Sequence, residues 1–138
     1  MLENATQEYI LLTMYHESIH SFLRAENIRL GDTNFKEKYP DVNEYDFPYK
    51  NGTKVKKYQL LSDHAKFHSF VENLAQAARS FNPNFPLDRA RALAKMGIVT
   101  GDSMTNDEKL LNDYERRDPN HPNWDLIKDL SKGQKCDD

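Results

Sequence analysis

His16-Glu17-Ser18-Ile19-His20 is where residue types and spacing first suggest chemistry. If this segment is helical, His16 and His20 stand one turn apart on one face, and both imidazoles can bind a single Zn²⁺. Glu17 then lies beside the metal. Its carboxylate is placed to take a proton from a zinc-bound water and to return it to a leaving amine, which is the chemistry of peptide-bond hydrolysis. A shuffled chain of this composition shows the pattern roughly once in a hundred trials. The plainer alternative is a pair of partly buried histidines on an amphipathic helix.

A catalytic zinc takes three protein ligands and keeps a fourth position open to water. The candidates for the third are His64, His68 and Glu72, each one turn from the next in a second helical stretch. His64 is preferred, because in the first turn it faces a cleft opening and the positive helix end disfavours its protonation. His68 otherwise reads as a surface or supporting histidine, and Glu72 as a solvated residue. Asp63 is a candidate to orient a ligand histidine. Tyr15, Tyr58 and His68 are candidates to stabilise the oxyanion. His121, in a loop with Pro119 and Pro122, reads as an exposed spectator. The longer form of the motif needs glycine at position 23 and histidine at position 26; Leu23 and Glu26 exclude it.

The elements that must position these groups follow from periodicity. Residues Thr6 to Arg24 read as a helix with Ile10, Leu11, Met14, Tyr15, Ile19, Phe22 and Leu23 on its apolar face, stopping between Asn27 and Gly31. Asp32 to Tyr58 is polar and aromatic without a helical period. Asn51-Gly52 marks a turn between short extended segments, and Phe35, Tyr39, Tyr45, Phe47 and Tyr49 suit packing over the core or covering the cleft. A second helix runs from an N-cap at Ser62 to Phe81, with Phe67, Phe70, Val71, Leu74, Ala77, Ala78 and Phe81 inward. Three shorter helices follow. Leu87 to Met96 turns Arg89, Arg91 and Lys95 outward and is capped by Gly97; Ser103 to Arg116 carries Met104, Leu110, Leu111 and Tyr114; Trp124 to Leu130 points Trp124, Ile127 and Leu130 inward. Residues 131–138 are expected to form a disordered tail. The fold class is mainly α, with α+β as the variant: one domain over residues 1–130, a zincin-like active-site helix packed on the helix that supplies the third ligand, and little or no sheet.

With 138 residues and a net charge of −3, the chain lacks the concentrated basic face that nucleic acid or an anionic membrane requires. Lys54, Lys56 and Lys57 read as a solvated strand or loop. No apolar run is long enough to span a bilayer, and the start has neither a basic n-region nor a cleavage site. The sequence does not choose between the cytoplasm and delivery as part of a larger exported protein. The lone Cys136 excludes an internal disulfide.

The His-Glu-x-x-His helix followed by Ser21-Phe22, the Tyr/Phe-rich insertion, and Asp63-His64 opening a helix with Phe67 and Val71 resemble the SprT-like and related zinc metallopeptidase domains of bacteria, especially those of Bacteroidetes. The resemblance covers roughly residues 8–81 and reaches loosely to Gly97. It implies zinc on His16, His20 and His64, Glu17 as general base, and a peptide or protein substrate. One departure stands out. Such peptidases place a small sheet before the active-site helix, whose edge strand pairs with substrate, and only 15 residues precede His16. The expectation is a fragment of a longer protein, or else a minimal version with a groove built from Asp32 to Tyr58. The rival reading is a helical binding or interaction module that keeps the helix pair without the chemistry. A two-metal storage protein would need Glu-rich bridging ligands, and only Glu17 and Glu72 lie near the histidines.

Overall fold

Helix α1 (Gln7–Leu30) is the spine of the fold. Thr6 caps it by accepting the Tyr9 N–H at 3.4 Å, and Gly31, at φ +78°, ends it while donating to Asn27 O at 2.9 Å. The computed structural model describes residues 2–60, 65–99 and 104–136, without the side chains of 65–67. Past Gly31 the chain forms helix α2 (Asp32–Lys38), then an antiparallel hairpin of β1 (Val42–Pro48) and β2 (Lys54–Leu60). Helices α3 (Ala65–Phe81), α4 (Leu87–Lys95), α5 (Asn106–Arg116) and α6 (Trp124–Ile127) complete it. The chain is mainly helical, and its sheet among the described residues is the hairpin alone. The turn at Asn51-Gly52 falls where the sequence puts it, with Gly52 at φ +81° and Tyr49 N–H donating to Thr53 O at 2.8 Å. Ser62, Asp63 and His64, and the start of the helix expected from Ser103, lie outside the described residues.

The core lies where α1, α3, α4 and α5 meet. Ala75, Ala78, Ala90 and Ala94 are fully buried, so α3 and α4 approach closely, and Leu12, Phe85, Leu93 and Ile98 fill the space beside them. A smaller cluster of Leu23, Phe35 and Tyr58 joins α1, α2 and β2. Helix α2 forms in a stretch without helical period because one residue, Phe35, anchors it. Glu26 ties it to α1, accepting from Arg29, Lys38 and Tyr39 at 2.8 Å each.

Several expectations need correction. The inner face of α1 is Glu8, Leu12, His16, His20, Leu23 and Asn27, whereas Met14, Tyr15 and Phe22 are exposed. Apolar residues surround this helix, so periodicity alone cannot choose the face. Arg89 is buried, donating to Glu115 Oε1 at 2.6 Å and Leu130 O at 2.7 Å. Helix α5 buries Asn112 and Glu115 while Leu110 is exposed, and Leu130 and Phe81 are also exposed. The segment from Ser131 to Cys136 is no disordered tail but a strap. Glu115 accepts the N–H groups of Lys132 (2.7 Å) and Gly133 (3.0 Å), and Glu8 accepts that of Gln134 (2.8 Å) together with the Asn82 amide (2.7 Å). The strap returns the favour through Gln134 O, which accepts the Gln7 N–H at 2.8 Å.

Candidate functional site

His16 and His20 share the inner face of α1, as their spacing requires, and both are buried. Their partners are main-chain atoms. His16 Nε2 lies 3.1 Å from Ala94 O, at the end of α4, and His20 Nε2 lies 2.9 Å from Gly97 O. A carbonyl oxygen only accepts, so each Nε2 carries its ring proton. His20 Nδ1 in turn accepts the Tyr58 N–H of β2 at 3.2 Å. Gly97, at φ +82°, bends the chain after α4 so that its carbonyl reaches His20 while its bare Cα sits under the His16 ring. Two side chains of one helix thus fasten α1 to the α4 terminus and to the hairpin.

Burial sets the protonation state. It lowers the His16 imidazole from the ordinary 6.5 to about 4, against the opposing hydrogen bond to Ala94 O. Burial likewise lowers that of His20, against its bond to Gly97 O. Both rings are neutral at pH 7, which matches the hydrogen-bond pattern.

The other candidates are scattered. Glu17 is exposed, with Lys57 Nζ 3.5 Å from its carboxylate. His68 is exposed on α3, and Glu72 pairs with Arg91, which holds its carboxyl below the ordinary range. Tyr15 is exposed, whereas the Tyr58 hydroxyl is buried 3.3 Å from Asn27 Nδ2. His121 approaches Asp113 at 3.5 Å and accepts the Asn123 N–H at 3.1 Å. His64 and Asp63 lie outside the described residues.

Among the described residues these side chains do not assemble a zinc centre, since no three His, Cys, Asp or Glu side chains converge. His20 has one ring nitrogen donating and the other accepting, so no lone pair remains for a metal. His16 retains only Nδ1, packed against Gly97. Ligation through both Nε2 atoms would break both carbonyl bonds.

Sequence reasoning missed a second feature, a cleft of about 520 Å³ between the C-terminal half of α1 and β2. Arg24, Asn27, Ile28 and Asp32 form one wall, and Lys54, Val55, Lys56 and Tyr58 the other. The signal available was the lysine cluster of β2, read as solvated. No family model, no curated protein and no solved structure matches this chain. The likeness to SprT-like domains therefore rests on the motif residues alone. No helix among the described residues is long and apolar enough to cross a membrane.

Proposed function

We propose that this chain is a small helical binding module in which His16 and His20 are a structural latch and the cleft between α1 and β2 meets the partner. The observation that carries this reading is the full use of His20: Nε2–H to Gly97 O and Nδ1 to the Tyr58 N–H. A residue engaged at both nitrogens by its own fold serves cohesion, and the cleft that begins at Tyr58 is the concave surface on offer. The rival is the zinc peptidase of the motif, with Zn²⁺ on His16, His20 and His64 and Glu17 as base.

Zinc stoichiometry separates the two. Full-length protein purified without added metal or chelator, then equilibrated with zinc and desalted, is expected to retain far less than one Zn²⁺ per chain and to leave unstructured peptides uncleaved. One Zn²⁺ per chain, lost in both His16→Ala and His64→Ala, would overturn the binding-module reading.

A further inference from the structure

The two edges of β2 are used unequally. Tyr49 and Thr53 form a hydrogen-bonded pair at the turn, so along the hairpin register the pairs Phe47↔Val55 and Tyr45↔Lys57 also bond across the ladder. The intervening residues Lys54, Lys56, Tyr58 and Leu60 then point their main-chain groups away from β1. The N–H groups of two of these four are taken by the rest of the fold. The Tyr58 N–H goes to His20 Nδ1, and the Leu60 N–H to Ile98 O at 2.7 Å. Among the described residues those of Lys54 and Lys56 have no partner, and they border the cleft.

The cleft beside this free edge is basic in a chain of net charge −3. Arg24 and Lys54 carry no ion pair among the described residues, while Lys56 is shared at 3.6 Å with Glu44 and 3.9 Å with Asp32. Ile28, 76 % exposed, adds an apolar step on the helix wall. The hairpin already shows what an adjoining strand looks like: Asp46 lies opposite Lys56, and Glu44 opposite Tyr58. The outer edge of β1 lacks these features, since Pro48 has no N–H to offer and its side chains are acidic.

We infer that the cleft binds an extended peptide segment of a partner protein, alternating acidic and apolar residues, that adds to the free edge of β2 as a third strand. Main-chain bonds to Lys54 and Lys56 supply the register, and Arg24 with the lysines selects the acidic side chains. The inference rests on reading the chain as a binding module.

The test is a titration of ¹⁵N-labelled full-length protein with the blocked peptide acetyl-Val-Glu-Val-Asp-Val-Glu-amide. Saturable shifts are expected at the amides of Lys54 and Lys56 and along residues 24–32. Affinity should fall by at least about tenfold in the Arg24→Glu/Lys54→Glu variant, whose positions are exposed and whose fold is checked by its unperturbed core amides. A version of the peptide with lysine in place of each acid should not bind. N-methylation at alternate amides should abolish binding in one phase and spare it in the other. No saturable shift at Lys54 and Lys56 up to millimolar peptide, equal binding of the lysine peptide, or indifference to both N-methylated phases would each overturn the inference. Zinc retention would overturn the binding-module reading separately, because the shifts at Lys54 and Lys56 are read in chelator.

Discussion

Acidification from pH 7 to pH 5 should weaken the fold through His16. Its imidazole titrates near 4 in the folded chain because of burial, against an ordinary value of 6.5 once unfolded. A folded pKa below the unfolded one means that the unfolded chain binds the proton first. The contribution of His16 is therefore complete above pH 6.5 and is lost as pH falls toward 4. Linkage gives a loss of about 2 kcal/mol at pH 5 and about 3 kcal/mol at pH 4 for this residue alone. His20, also lowered by burial, adds in the same direction. Against a total of roughly 5–15 kcal/mol for a domain of ordinary stability, this is a large displacement. The assay is the urea midpoint followed by circular dichroism at pH 7, 6 and 5, in chelator, for the native chain and for His16→Gln. The native midpoint should fall steeply and the variant, already weaker, should fall less. A flat midpoint between pH 7 and pH 5, or a slope seen only when chelator is left out, would refute a buried neutral latch.

Two substitutions probe the supports of that latch and of the strap. Gly133→Ala would place a Cβ 2.6 Å from Thr6 Cβ and 2.7 Å from Thr6 Oγ1, and against Glu8 Oε2, so the strap must leave. Three N–H donors are then lost from Glu8 and Glu115; with water replacing part of each charge-assisted bond, the expected loss is about 2–4 kcal/mol, together with rapid proteolysis after residue 130. A urea midpoint within about 0.5 kcal/mol of the native chain would contradict the strap. Gly97→Ala meets only ordinary contact, 3.5 Å from His16 Nδ1, so its cost is the left-handed backbone at φ +82°, about 1–2 kcal/mol. A neutral result there would mean that the turn holding His20 is not conformationally demanding.

The elements were readable in the sequence where local rules act alone: α1 to its stop at Gly31, the Asn51-Gly52 turn, and α4 before Gly97. Burial was less so. Helix α1 has apolar residues all round, and the side that faces inward is set by partners that are distant in the chain, Ala94 and Gly97. Spacing establishes that His16 and His20 share a face and says nothing of what they face. The strap was invisible for a related reason. Nothing local marks Glu8 and Glu115 as buried, and the main-chain N–H that Glu8 accepts belongs to Gln134, at the other end of the chain. Helix α2 hangs on the single buried Phe35, too little to make a period. The cleft arises from the unpaired half of one strand edge, a property of pairing that composition does not carry.

Long-range ¹H–¹⁵N correlation of the histidine rings in the full chain at pH 7, before and after one equivalent of zinc, distinguishes a latch from a metal centre. His16 and His20 are both expected to be neutral with the proton on Nε2, and zinc to leave their four ring nitrogens unmoved. Loss of the Nε2 protons on both rings with a zinc-dependent shift shared by His64 would contradict the latch and restore the metal centre.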